Sequence, residues 1–209
     1  GGNPTLQPEK VFNVEAMMLY KWLNVSVGYK YLKDVMEWTK YIYPGKEFAY
    51  NTSLNFDHKQ LLYASVNVSP KFGIFRPTWG FNYNQQFFDT KKYGASKALS
   101  KPLLSCSLNN NFALSETMNA AIRLNASTTH ADGFLMMKSG YSVNLQFNKS
   151  FANRTWIIYL SANDIFKTAK ERWTMYGLGA GTTKDCYNYT RCISLQVTYN
   201  FNAKRSKYK

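Results

Sequence analysis

The sequence has few acidic residues and no long apolar run. Asp and Glu number 12 against 26 Lys and Arg, which gives a net charge of +14 over 209 residues. The longest apolar runs, such as 16–20 and 156–160, have only five residues, whereas a membrane-spanning helix needs about 20. A helical membrane protein is therefore excluded. Hydrophobic residues make up 45% of the chain and aromatic residues 17%, which argues against disorder.

Cysteine and histidine are also scarce, which bears on disulfides, metals and catalysis. Three cysteines are an odd set and do not form a disulfide-stapled mini-domain. Cys106 lies in an alternating pattern as a small apolar filler, whereas Cys186 and Cys192 would pair only if the chain turned between them. His58 and His130 have no carboxylate or cysteine at ligand spacing, and a zinc site needs three or four ligands. We predict no metal, no cofactor and no catalytic residue.

Apolar and polar residues alternate with a period of two through most of the chain, which is typical of β-strands. The clearest windows are 104–113, 141–151 and 193–202, and no window shows the 3.6-residue stripe of an amphipathic helix. The sequence therefore predicts an all-β protein, an antiparallel meander of about nine long strands. The predicted strands are 11–22, 23–38, 47–70, 74–88, 101–113, 117–130, 139–151, 155–166 and 186–202.

Short and long connections alternate between these strands. Residues 70–73, 114–117 and 152–154 are short turns, and the long connections are 38–47, 89–100, 131–138 and 167–185. Outer-membrane β-barrels have short periplasmic turns and longer extracellular loops. The third strand is long enough to extend above a membrane, and we expect a bulge near Asp57 and His58.

The polar faces of the strands favour a barrel over a soluble sandwich. They carry Asn, Ser, Thr and Gln, whereas the outward face of a sandwich usually carries Lys, Glu and Asp. A watery lumen suits uncharged polar residues when the apolar face meets lipid. The alternative is a soluble all-β binding module whose apolar face packs inward. The predicted lumen-lining residues are Lys30, Asn109, Asn111, Arg123, Asn125, Asn144, Gln146, Asn148, Gln196, Thr198 and Asn200. The predicted lipid-facing residues are Val143, Leu145, Phe147, Leu195, Val197, Tyr199 and Phe201.

The excess of positive charge lies mainly in loops and at the C-terminus. Because these cations do not form one strip with interleaved aromatic residues, we predict no nucleic-acid partner. Loop cations would attract the phosphates of lipopolysaccharide, and lumen cations would attract anionic solutes. The glycine-rich segment 177–181 lacks the G-K-[ST] of a phosphate-binding loop, so we interpret it as a flexible external loop.

Three segments carry a family resemblance. Residues 3–9 read N-P-T-L-Q-P-E, close to an N-P-x-L-K-P-E motif with Gln7 in place of lysine. Residues 160–166 read L-S-A-N-D-I-F and are followed by R-W-T-M-Y-G at 172–177, and the chain ends with V-T-Y-N-F-N and a basic tail. These segments resemble the C-terminal part of TonB-dependent outer-membrane receptors, specifically the Bacteroidetes outer membrane protein beta-barrel family.

The resemblance implies a segment of a receptor that imports a scarce nutrient, such as a ferric chelate or a glycan, in the Gram-negative outer membrane. Residues 1–202 would be the C-terminal segment of a barrel of about 22 strands, and 203–209 a basic tail. An odd strand count, with ends on opposite faces, predicts further strands upstream and open edges at 11–22 and 193–202. The implied partners are the transported solute, outer-membrane lipid, lipopolysaccharide and, through a plug domain, TonB. The sequence does not identify the solute.

Overall fold

The computed structural model describes residues 3–42, 45 and 47–201, and these residues form thirteen β-strands. No helix in these ranges is long and apolar enough to cross a membrane. The strands are β1 (Lys10–Tyr20), β2 (Leu23–Ile42), β3 (Ala49–Val68), β4 (Phe75–Phe87), β5 (Leu103–Ser115), β6 (Met118–Ser127), β7 (His130–Asp132), β8 (Leu135–Met137), β9 (Gly140–Phe151), β10 (Trp156–Asn163), β11 (Lys170–Tyr176), β12 (Gly181–Tyr187) and β13 (Cys192–Tyr199).

Nine of the strands form one antiparallel sheet in the order β1-β2-β3-β4-β5-β6-β9-β10-β13. The predicted all-β meander of about nine long strands is confirmed, with β1 and β13 as its outer strands. The connections at one end of the sheet are short, at 21–22, 69–74, 116–117 and 152–155. At the other end 88–102, 128–139 and 164–191 are long, as predicted. The predicted long connection 38–47 is wrong, because β2 continues to Ile42 and the connection 43–48 is no longer than 69–74. We call these two ends of the sheet the turn end and the loop end.

The pairing register separates an apolar face from a polar face, because residues directly opposite each other in antiparallel strands share a face. One apolar row runs across six strands and contains Leu23, Val68, Trp79, Leu108, Leu124 and Val143. Many of its neighbours are exposed, and on β13 Ile193 and Leu195 are 80% and 66% exposed. The nine-stranded sheet therefore presents a continuous apolar surface on one side.

The predicted long connections 131–138 and 167–185 do connect strands of the large sheet, but each contains a β-hairpin that the sequence did not predict. Strands β7, β8, β11 and β12 form a second sheet of four strands in the order β12-β11-β8-β7. The predicted last strand, 186–202, begins later than expected because 186 and 187 end β12. The four strands of the second sheet have three to seven residues each, which is too short for a clear alternation pattern. The predicted tail 203–209 and residue 202 lie outside the described residues.

The glycine-rich segment 177–181 connects β11 to β12 and packs closely against β2. The backbone N–H of Leu178 donates to the carbonyl of Lys40 at 2.7 Å. A Cβ atom on Gly177 would lie 2.7 Å from that same carbonyl oxygen, a distance that real Cβ atoms essentially never show. The interpretation of this segment as a loose external loop is therefore wrong, because the backbone-to-backbone contact requires glycine.

The buried core lies at the loop end of the sheet. Leu32 and Val35 of β2 and Phe56 of β3 pack with Phe88 and Phe134 from the connections, and the ring centroids of Phe56 and Phe134 are 4.9 Å apart. The side-chain amide of Gln86, on the polar face of β4, donates a hydrogen bond to the carbonyl of Gly133 and accepts one from its N–H. We call this packed layer of connections and short strands the cap; it covers the loop end of the polar face.

The expected bulge near Asp57 and His58 is also wrong in detail. Lys33 pairs with His58 and Val35 with Phe56, so the register does not shift. Instead Asp34 takes a φ of 55°, and the buried positions of β2 change from even residues, such as Leu32, to odd ones, such as Val35. The pair of Asp34 and Asp57 is missing from the ladder of β2 and β3. Beyond it the side chains point to the opposite face of the sheet, although the register of the two strands is unchanged.

Candidate functional site: the polar face and the cavity under the cap

The polar face of the large sheet brings most of the predicted lumen-lining residues together. Arg123 lies opposite Asn109 on β5 and Asn144 on β9, and the next row contains Asn125. The register places these predicted residues on the same face: Lys30, Asn109, Asn111, Arg123, Asn125, Asn144, Gln146, Asn148, Gln196 and Thr198. Asn200 follows β13, and its side-chain amide donates to the carbonyl of Arg154 at 2.9 Å.

The predicted lipid-facing residues lie on the opposite face. Leu145 is opposite Ile122, and Phe147 and Leu195 flank Leu160 in another row. Phe201 lies beyond β13, with its ring 4.7 Å from that of Tyr199. The remaining members of the set on this face are Val143, Val197 and Tyr199. That lipid covers this face stays a prediction.

A cavity of about 580 Å³ lies between the polar face and the second sheet. The large sheet contributes small polar side chains, including Ser107, Asn125 and Ser142, which are neighbours in one row. The cap contributes charged and polar side chains from β7, β11 and the adjacent connections. These are His130, Lys138, Thr168, Lys170, Glu171, Arg172 and Asn188. Ligand sites usually measure about 300–1,000 Å³, so the cavity has the size of a small-molecule site.

Asp164, at the loop end of β10, fixes the position of the cap. Its carboxylate accepts hydrogen bonds from the N–H groups of Thr168 and Ala169, at 2.8 and 3.1 Å, and from the Thr190 hydroxyl at 2.8 Å. Burial raises its pKa, but these bonds outweigh burial and hold the pKa below the ordinary value. The N–H of Asp164 donates to Asn144 at 2.8 Å. One carboxylate therefore ties the start of β11 and the connection before β13 to the large sheet.

Among the described residues, one carboxylate lines the cavity, and it is already paired. Glu171 accepts hydrogen bonds from Lys184 at 2.6 Å, Trp173 at 3.0 Å and Asn188 at 3.3 Å. These bonds, with that of Lys184 the strongest, lower the pKa of Glu171 to about 2. Glu171 therefore stays ionised at neutral pH, and its charge is balanced by Lys184.

Arg172 is the most constrained cation of the cavity. Its terminal nitrogen donates to the carbonyl of Ser139 at 2.7 Å. Its Nε–H is buried and has no hydrogen-bond partner among the described atoms. Lys138 and Lys170 are the other lysine and arginine side chains of the lining. The cavity therefore carries an excess of positive charge.

Sequence reasoning found only part of this site. It identified Asn125 as a lumen residue and placed the excess positive charge in loops such as 167–185, which contains Lys170 and Arg172, but it did not place these residues around one cavity. It also missed the role of Asp164, although this residue belongs to the L-S-A-N-D-I-F segment. That segment was the available signal, because a carboxylate in a motif at a strand end often caps the following turn.

The apolar face has a hollow of its own, about 510 Å³ in volume, which includes Ala64, Phe81, Leu104 and Ala126 in its lining. Its lining is almost entirely apolar, so it offers little to orient a polar solute. The histidines form no metal site: within the described ranges, no group of three or more His, Cys, Asp or Glu could hold a metal ion. His130 Nδ1 lies 2.9 Å from the carbonyl of Thr128, and all three cysteines are free.

Comparison with known proteins gives one match. The model of a family described as "Outer membrane protein beta-barrel family" matches residues 1–199. No curated protein and no solved structure matches the chain. The match covers nearly all of the sequence and agrees with the antiparallel meander and its separate apolar and polar faces. The chain therefore belongs to the outer membrane protein beta-barrel family and is located in the outer membrane.

Proposed function

We propose that this chain is the C-terminal barrel segment of a TonB-dependent receptor of the Bacteroidetes type, which imports a scarce nutrient across the outer membrane. The cavity between the polar face and the cap carries this proposal, because it is a solute-sized, charged site at the loop end of a barrel wall. External loops and lumen wall bind the solute, and a plug domain, driven through TonB, releases it. The segment supplies binding groups and performs no chemistry.

The exposed apolar face supports a membrane barrel over a soluble binding module. A module of that kind would bury its apolar face, yet Ile193 and Leu195 are largely exposed and the buried core lies at the loop end. An exposed apolar surface across nine strands is far larger than soluble monomers usually present. Lipid is the environment that removes it from water.

The loop-end cations suit a lipopolysaccharide surface. Lys101 is exposed in the β4–β5 connection, and the ammonium of Lys92 lies 3.6 Å from the carboxylate of Asp57, which is itself exposed. Surface pairs of this kind are weak, so the lysines remain available to phosphate groups. We propose that this rim contacts the phosphates of lipopolysaccharide around the barrel.

Uptake measurements on whole cells test the proposed function. Cells with and without the gene are supplied with single labelled solutes, in the presence or absence of an uncoupler that removes the proton-motive force. We expect at least one solute to accumulate only when the gene is present and the inner membrane is energised. The proposal would be contradicted if deletion of the gene left the uptake of every tested nutrient unchanged, or if the uptake continued in uncoupled cells.

A further inference from the structure

We infer that the cavity under the cap binds a small anionic solute, one that carries carboxylate or phosphate groups, through Arg172, Lys170 and Lys138. This inference rests on the proposed function and names the substrate class of its site. The argument starts from charge. Three cationic side chains line the cavity against one carboxylate among the described residues, and that carboxylate, on Glu171, is neutralised by Lys184 at 2.6 Å. None of the three cations forms an ion pair within the described residues, so the cavity keeps an excess of positive charge.

Arg172 supplies the directional group. One terminal nitrogen is committed to the carbonyl of Ser139, which fixes the guanidinium against the second sheet. The buried Nε–H has no partner within the described residues, and an unsatisfied buried donor is destabilising. Because Nε itself is closed to solvent, an anion in the cavity would be bound by the remaining N–H groups of the guanidinium, which makes one hydrogen bond within the described residues. Arginine is well suited to this role, since its planar fork matches both carboxylate and phosphate.

The rest of the lining favours an anion over a neutral sugar. Ligand pockets usually combine an apolar lining with a few polar groups. Here the polar groups are the charged residues of the cap above and Ser107, Asn125 and Ser142 below, beside apolar residues such as Ala126 and Met137. Tyr141 is the one aromatic residue of the described lining, and its register places it opposite Ala126 on the apolar face. Hydroxyl and amide donors around a cationic centre suit a multiply charged, hydrogen-bonding solute.

Titration calorimetry on the intact protein, purified from outer membranes in detergent, tests the inference. Citrate and inorganic phosphate are the anionic probes, and maltotriose is the neutral one. The variants are Arg172→Gln and Arg172→Lys, and the matched control is Lys91→Gln, which removes the same charge from an exposed position outside the cavity. Retention of the heat-modifiable, folded form on gels verifies that each variant is folded.

We expect an anionic probe to bind and maltotriose to give no heat of binding. Arg172→Gln should raise the dissociation constant about tenfold or more, as loss of a charge-assisted hydrogen bond does. Arg172→Lys should have a smaller effect, and Lys91→Gln should leave the constant within about twofold, since an exposed charge outside the cavity is screened. Raising the salt concentration from about 20 to about 500 mM should weaken binding of the anion.

Several results would overturn the inference: no binding of either anion, binding of maltotriose equal to that of citrate, or equal losses from Arg172→Gln and Lys91→Gln. The uptake experiment separates this failure from failure of the proposed function. If energised cells import a neutral solute through the protein, the receptor function stands and the anionic substrate class is wrong. If deletion changes no uptake, the receptor function itself is wrong.

Discussion

Replacing Asp164 with asparagine should destabilise the cap. The carboxylate of Asp164, which is 2% exposed, accepts three short hydrogen bonds, from Thr168, Ala169 and Thr190. A hydrogen bond to a charged group is worth about 1.5–3 kcal/mol and a neutral one about 0.5–1.5 kcal/mol. Asparagine keeps one acceptor oxygen but loses the charge, at a cost of about 1 kcal/mol for each bond. The expected loss is therefore about 3 kcal/mol.

Urea unfolding of the intact protein in lipid vesicles, followed by tryptophan fluorescence, measures this loss. Trp173 lies on β11, next to the segment that Asp164 holds, so the fluorescence of this tryptophan reports on the cap. Asp185→Asn is the matched control, because Asp185 is exposed on β12, and exposed substitutions usually change stability by no more than about 0.5 kcal/mol. Equal losses from Asp164→Asn and Asp185→Asn would refute the assigned role of Asp164.

The difference in stability between the wild type and Asp164→Asn should depend on pH in a defined direction. The pKa of Asp164 is lower in the folded protein than its ordinary value of 3.8. Its contribution to stability is therefore complete above that value and is lost as the pH falls through the lower, folded-state pKa. The difference in unfolding free energy between the wild type and Asp164→Asn should be constant near neutral pH and should shrink below about pH 4. A difference that grows on acidification would contradict the direction of the pKa shift.

Two further experiments, one on Gly177 and one on the pair of Lys59 and Glu37, test packing at the loop end. Gly177→Ala should cost about 1–3 kcal/mol, because its Cβ would collide with the carbonyl of Lys40, whereas Gly140→Ala meets no atom within 4 Å and should be nearly neutral; susceptibility of the β11–β12 hairpin to protease measures both. Lys59→Met should cost about 3 kcal/mol in urea unfolding, because it removes the ion-pair partner of Glu37, whose side chain is only 15% exposed. Combining Lys59→Met with Glu37→Leu should recover most of that loss, and no recovery would contradict the pairing.

The large sheet could be predicted from the sequence because its information is local. In β9 and β13 each side chain alternates between an apolar and a polar face, so the period of two gives both the strand and the face. The alternation of short and long connections then gives the antiparallel order. The register places Arg123, Asn109 and Asn144 side by side, although the sequence alone predicted only that they share a face.

The cap could not be predicted, because its structure depends on contacts between distant segments. Strands β7 and β8 have three residues each, too few for periodicity to be detected. Gly177 appears in the sequence as part of a flexible stretch, yet its role depends on Lys40, far away in the chain. The cavity could not be predicted for the same reason, since Asn125 and Arg172 line it from two different sheets.

The central claim is that the apolar face of the nine-stranded sheet meets lipid and the polar face lines the lumen. Leu145 and Gln146 are adjacent in the middle of β9 and point to opposite faces of the sheet. The most direct test compares Leu145→Arg with Gln146→Arg in the intact protein, by urea unfolding from lipid vesicles. We predict that Leu145→Arg lowers the free energy of unfolding by about 2–4 kcal/mol, as arginine does at a lipid-facing site near the bilayer midplane, and that Gln146→Arg is tolerated. Equal destabilisation by the two variants, or a larger loss for Gln146→Arg, would contradict the claim.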